Sequence, residues 1–513
     1  MALYFGSAIL DLLAVLTTLL AAVYAYMIWT FQYWKRRNVP HFDPVIPWGN
    51  MENPMNRTLS ISEYITLLCK KAKAKGWKYF GTYSIMQVNL VVLDLDLVKH
   101  IMTKDFQNFV DRGFYTNEKD DPLSAHLFAI GGNKWRRLRT KLSPTFTSGK
   151  MKSMFSTLAD CGAVLETYIQ KSVDNINGND IKEIVSKFST DVIGSCAFGL
   201  QFNSFTDLNS PFRMHGRKIF DRSSFQDFKF VVATVFPKIA RALHIMATPN
   251  DTSDFFRKVV EDTITYRWKN NVTRNDFLQL LLELMDKNAT TKNGIKGSDS
   301  QNLTMDEAAA QCFVFFIAGF ETSSTTMTFA LFHLALHQDI QDKVRNEIKT
   351  VLANHNNQIT YDSLNELKYM KQVIDETLRF YVPLPFVTRM AAEDYKLPGE
   401  DVVIEKGTRV MIPIQAIHMD EDIYPEPNKF DPERFNDKNK AGRHPYAHIP
   451  FGEGPRICIG ERFGIMQTKV GLTTILRNFR VTLNKKMKLP LKLSTKGFFP
   501  SAEGGVWLNL EKP

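Results

Sequence analysis

A mainly helical fold with a minor β-sheet, standing behind a single membrane-spanning helix, is what the sequence predicts. Three observations carry that prediction. Residues 12 to 34 form one apolar run with Gln32 as its only strongly polar side chain. From about 95 to 390 apolar residues recur mostly at helical spacing. Strand-like alternation is confined to 79–95 and 402–414. No Gly/Ser- or Pro-rich linker divides the 513 residues into separate globules.

Taken in order, the first run is long enough to cross a bilayer core of about 30 Å as a helix. Lys35-Arg36-Arg37 follows at once, and positive charge on that flank keeps it on the cytosolic side. A cleaved signal peptide carries its charge before a shorter run, so 1–34 reads as an uncleaved anchor, with Trp29, Tyr33 and Trp34 at the membrane interface. Residues 35–50 are basic and proline-rich, a stiff hinge, and 51–513 form the catalytic domain. On this orientation the sequons at Asn56 and Asn271 face the cytosol and stay unmodified. Tyr79 to Leu93 reads as a hairpin, and Asn288 to Gln301 as a polar loop.

The net charge is +10, from 64 Lys and Arg against 54 Asp and Glu. It fits an acidic partner or a membrane surface; no basic-aromatic module supports nucleic acid. Five unpaired cysteines argue against a disulfide framework or a zinc site. The 38 Phe residues point to an aromatic interior.

Phe451-Gly452-Glu453-Gly454-Pro455-Arg456-Ile457-Cys458-Ile459-Gly460 reads as a tight loop presenting one sulfur. Gly452, Gly454 and Pro455 oppose regular structure. Glu461 onward reads as a helix, so Cys458 lies at a helix N-terminus, which favours a thiolate. Arg456 adds a cation. A haem iron held by one cysteine needs such a sulfur, which makes Cys458 the candidate metal ligand. A structural cysteine beside a turn is the plainer reading of the thiol alone.

Thr304-Met305-Asp306-Glu307 is a capping box that opens a long helix, apolar on all sides and hence central. In its middle, Ala318-Gly319-Phe320-Glu321-Thr322 is unusual for a core helix. Gly319 costs about 1 kcal/mol against Ala. The Thr322 hydroxyl can bond the Ala318 carbonyl and open the helix. Glu321 sets an acid in apolar surroundings. A polar stripe against another helix is the plain reading. Beside a haem-thiolate loop the same residues fit a dioxygen groove, where a hydroxyl and a carboxylate deliver protons.

Glu376-Thr377-Leu378-Arg379 places opposite charges one turn apart, and Pro432-Glu433-Arg434-Phe435 follows about 55 residues on. Trp135 and Arg139, also one turn apart, offer an indole N–H and a guanidinium to a carboxylate.

The loop from Phe451 to Gly460 resembles the haem-binding loop of the cytochrome P450 family. Ala318–Thr322, the Glu376–Arg379 helix with its Pro432–Phe435 partner, and Trp135 with Arg139 resemble the family's other motifs, in family order. Leu142 to Lys150 and Pro122 to Phe128 are similar to the insect microsomal branch, itself similar to vertebrate drug-metabolising members. The resemblance implies haem b (iron protoporphyrin IX), with Cys458 as its ligand and Phe451 and Gly319 against it. Trp135, Arg139, Arg389, Arg456 and Arg112 would hold its propionates. Glu321 and Thr322 would be catalytic, and Glu376, Arg379 and Arg434 a structural network.

No dinucleotide fingerprint or phosphate loop is present. Electrons must therefore come from another protein. The resemblance implies NADPH-cytochrome P450 reductase, with a small b-type cytochrome as a second partner, at the endoplasmic reticulum. Lys134, Arg136, Arg137, Lys141 and Arg443 could form the docking face. The implied activity is monooxygenation of a hydrophobic small molecule: xenobiotic, plant toxin, insecticide or endogenous lipid. A haem-thiolate rearrangement enzyme and a non-catalytic haem protein are the alternatives. Phe228 to Ile245 reads equally well as a membrane-dipping segment or a buried helix.

Overall fold

The computed structural model describes residues 8–512 except 54–55, 174–176, 208–209, 221–223 and 286–301. The polar loop expected over 288–301 lies outside the described residues. The anchor helix, Ala8–Phe31, is apolar and exposed along most of its length. Mean hydropathy reaches 2.0 over Ile9–Arg37, and it is the one helix among the described residues long and apolar enough to cross a membrane.

The segment expected as a hinge is folded onto the domain. Trp34 is completely buried. The Gly81 amide donates to the Pro40 carbonyl at 2.7 Å, and the Asn50 amide to Tyr83 at 2.8 Å. Residues 39–50 thus run along Tyr79–Ser84, the edge strand of the main sheet. That strand pairs antiparallel with Gln87–Val92, as the hairpin reading requires. Gln87–Val92 lies parallel to Arg409–Ile412, which pairs antiparallel with Val387–Met390. The parallel pairing brings the chain's second half back to its first.

Helices make up most of the remaining body. The central helix, Met305–Leu336, has the expected capping box, with Thr304 and Glu307 bonding reciprocally. At 32 residues it is about 48 Å long, and most of its side chains are buried. It packs on Ile181–Phe198, Asn250–Asn270 and Glu461–Asn478. Ile181–Phe198 starts on the Asp180 side chain, ends at Gly199 in the left-handed region (φ 65°), and is buried except at Lys182 and Glu183. Phe198, Phe212, Phe255, Phe256, Phe313 and Phe316 meet mostly edge to face at 4.9 to 6.1 Å, the geometry that ring quadrupoles favour. The phenylalanine-rich composition is therefore the core where these helices cross.

Candidate functional site

The loop before Glu461–Asn478 is held by its own backbone. Cys458 N–H donates to the Phe451 carbonyl at 2.9 Å, Gly452 to Ile449 at 2.9 Å, and Ile457 to Gly454 at 3.0 Å. Gly454 has φ 72°, and a Cβ there would lie 2.0 Å from the Met102 carbonyl oxygen. Only glycine satisfies both conditions. Cys458 is accessible, yet protein surrounds it deeply enough for burial to push its thiol up. The Gly460 amide, Arg112 and Arg139 oppose that rise, while Glu461 adds to it. A bound cation would settle the balance, because a coordinating thiol is deprotonated outright.

Near this sulfur the structure gathers Arg112, Arg139 and Arg389, none ion-paired among the described residues. Arg112 donates once, to the Arg456 carbonyl at 3.1 Å, and stacks 3.9 Å over Phe128. Its Nε and Nη1 are buried without partners among the described residues. Arg389 is buried, donates to Thr388 O at 2.9 Å, and leaves its Nε unpartnered. Burial lowers it to about 10. Arg139 is likewise lowered by burial. Arg112 is held down by burial, then by Arg389 and Arg456, while Cys458 acts the other way. Such crowding is costly unless carboxylates arrive from outside the chain. The two propionates of a haem would supply them, so the residues fit that group.

Arg456 belongs to the same cluster: burial, and then Arg389, lower it to about 9. Its Nε donates to Val110 at 2.8 Å and its Nη2 to Ile130 at 2.7 Å. Its Nη1 reaches Leu127 at 3.4 Å, and the guanidinium lies 4.2 Å over the Trp135 ring. Its donors are spent stitching the sulfur's loop to segment 110–130. Gly319 is closely packed. A Cβ there would lie 2.6 Å from Ile193 on the neighbouring helix, so the missing side chain lets the two helices approach. Phe451, partly buried, packs against the main core.

In the central helix the Thr322 hydroxyl donates to the Ala318 carbonyl at 2.6 Å, as expected. Glu321 is turned toward Ile181–Phe198, where Lys182 Nζ donates to its Oε1 at 2.7 Å, to Ser324 Oγ at 3.1 Å and to Thr325 Oγ1 at 2.9 Å. Lys182 escaped the sequence reading, because nothing local marks a contact 139 residues away. His126 escaped it too. Its Nδ1 has no partner among the described residues, and burial lowers it to about 4. Its place within Pro122–Phe128 was the available signal.

Behind the sulfur's loop, Glu376 and Arg379 form a fully buried bidentate pair at 2.7 and 2.8 Å. Arg434 Nε lies 3.6 Å from the same carboxylate. Arg379 also donates to the His418 and Pro427 carbonyls at 3.0 and 2.8 Å. His418 Nε2 accepts from Ile449 N–H at 3.1 Å. The network therefore reaches the loop through His418 and Ile449.

The cytochrome P450 family model matches residues 55–507. Among curated proteins, probable cytochrome P450 6a14 of Drosophila melanogaster is 42% identical over 510 residues, covering 98% of this chain and 99% of the relative. Cytochrome P450 6a2 of the same fly is 42% identical over 508 residues, at 98% and 99% coverage. Cytochrome P450 6a8 is 42% identical over 504 residues, with 98% of both chains covered. The sulfur's loop, the unmatched guanidinium groups around it and this end-to-end likeness agree: the chain belongs to the cytochrome P450 family, as a haem b-binding monooxygenase of the insect kind.

Proposed function

We propose that this chain is a membrane-anchored monooxygenase that takes electrons from NADPH through a separate reductase and places one oxygen atom of dioxygen in an apolar small molecule. The observation that carries the reading is the pair of buried guanidinium groups, Arg112 and Arg389, with donors that have no partner among the described residues, near the Cys458 sulfur. In it Cys458 ligates the iron, and Arg112, Arg139, Arg389 and Trp135 hold the propionates. The bound haem supplies the activation of dioxygen. The chain's own residues position, exclude water and move protons. The Thr322 hydroxyl, its proton committed to Ala318 O, keeps its lone pairs to accept from a water in the groove. Glu321, beside the partly exposed Lys182, takes protons from the solvent side and passes them to that water.

The paired rings of Phe114 and Phe128, 5.2 Å apart beside Arg112, support an apolar substrate class. Xenobiotics, plant toxins, insecticides and endogenous lipids all fit its chemistry. Phe225, Phe228, Ile239 and Leu243 are 52 to 65% exposed, which favours membrane contact over a plain buried helix for this region. On this reading the domain lies at the cytosolic face of the endoplasmic reticulum. A reductase, and a small b-type cytochrome in the same way, would dock through Arg136 and its neighbours. Lys134 and Arg137 are already paired with Glu118 and Glu307. The test is a reduced carbon monoxide difference spectrum, followed by NADPH-dependent substrate turnover with added reductase. Cys458→Ala must abolish the thiolate-type spectrum. Its survival would sink the reading.

A further inference from the structure

A membrane anchor followed by a proline-rich segment suggests a tether, yet the side chains at this junction are interlocked. Trp34 lies wholly inside the domain. Its backbone N–H donates to the Tyr83 hydroxyl at 3.0 Å, and its indole N–H to the Thr82 carbonyl at 3.3 Å. The slot exists because position 81 is glycine; a Cβ there would fall 2.2 Å from the indole ring. One turn earlier, Phe31 is buried with its ring 5.2 Å from that of Tyr83, and Met27 is buried a further turn back. On the other flank the Tyr33 hydroxyl donates to Glu405 at 3.0 Å and lies 3.3 Å from Thr408 Oγ1, while Arg37 pairs with Glu405. The anchor's last two turns are thus bonded to two separate stretches of the catalytic domain.

We propose that anchor and catalytic domain form one rigid strut, in which Trp34 seated against Gly81 fixes the tilt of the domain over the bilayer. The residues touched tie this junction to the apolar patch. Thr408 is followed by Arg409, which donates to the Gly113 carbonyl at 3.1 Å. Two residues on, the Tyr115 hydroxyl donates to the Ile245 carbonyl at 2.8 Å, just beyond exposed Leu243. A continuous line of contacts therefore links the end of the anchor to the surface bearing Ile239 and Leu243. With the strut intact, that patch meets lipid at a depth set by the protein. This inference does not depend on what the site oxidises.

The two pictures differ in a measurable distance. Were residues 35–50 a free coil detached from the domain, their ends would lie roughly 20–24 Å apart with wide spread; a strut allows a few ångströms of spread. The experiment places spin labels at Ala21→Cys, in the anchor, and Lys396→Cys, on the exposed side of the domain, in full-length haem-loaded protein in lipid nanodiscs. Native Cys69, Cys196 and Cys312 are buried, and a sample without the added cysteines sets the background. A single narrow distance distribution is expected. In the Gly81→Ala background, where the indole loses its slot, the distribution should broaden severalfold while the Soret band is unchanged. A broad distribution in the unaltered background overturns the proposal. So does a narrow one that Gly81→Ala leaves narrow with the Soret band intact. If Gly81→Ala fails to fold, the first measurement decides by itself.

Discussion

Removing Arg379 should be far more damaging than removing both members of its pair. Glu376 and Arg379 have no exposed side-chain surface. Arg379→Ala leaves the carboxylate with the Asp431 N–H at 2.9 Å and Arg434 at 3.6 Å as its nearest partners. It also strips donors from the His418 and Pro427 carbonyls. An uncompensated buried charge costs about 3–5 kcal/mol, and each buried carbonyl left unpaired about 1–3 kcal/mol. Partial relief comes because burial already raises the proton affinity of Glu376, so the carboxyl can neutralise. The net expectation is a loss of about 4–6 kcal/mol. Because His418 holds Ile449, haem retention should fall with it. Glu376→Gln with Arg379→Met removes both charges and should recover at least half of that loss. The assay is urea unfolding followed in parallel by far-ultraviolet dichroism and the Soret band on Arg379→Ala, the unaltered protein and the double variant, with the Glu376→Gln and Arg379→Met singles completing the double-mutant cycle. A loss below about 1 kcal/mol for Arg379→Ala, or a double variant as unstable as the sum of the singles, would refute the reasoning.

Three further outcomes follow from the same geometry. His333 is buried with neither ring nitrogen partnered among the described residues, and burial lowers it to about 3. A folded state that resists protonation loses stability as pH falls below about 6.5, so His333→Phe should gain on the unaltered protein by roughly 1.4 kcal/mol per pH unit between 6 and 4; melting curves of the pair at several pH values check this. Gly454→Ala, whose Cβ would strike Met102 O, should reduce haem content by more than half while leaving helical dichroism largely in place, as a haem-to-protein absorbance ratio will show. Lys182→Met and Glu321→Gln should each lower turnover by about tenfold, with the double variant no worse than either single if the two residues act as one unit; additive losses would separate them.

How far the chain could be read in advance depended on sequence distance. The capping box at Thr304 and Glu307, the pair Glu376 and Arg379, and the run from Phe451 to Gly460 are local patterns, and local geometry decides them. The close approach of Ile193 to Gly319 was hidden, because Ile193 lies on another helix. The bonds from Arg456 to carbonyls more than 300 residues away were hidden in the same way. Trp34 looked like an interfacial aromatic because an isolated indole beside an apolar run suits that role. Its slot is made by an unremarked glycine in a strand 47 positions later. The missing information lay in tertiary contacts that no spacing rule encodes.

The bonds from Arg456 to Val110, Leu127 and Ile130 have an evolutionary consequence. Segment 110–130 is sewn to the loop that carries Cys458. If that segment shapes substrate entry as proposed, mutations that remodel it will tug on the Cys458 sulfur, and some will be discarded for shedding cofactor before any new selectivity is tried. Diversification should therefore concentrate on neighbouring positions whose backbone oxygens Arg456 leaves alone.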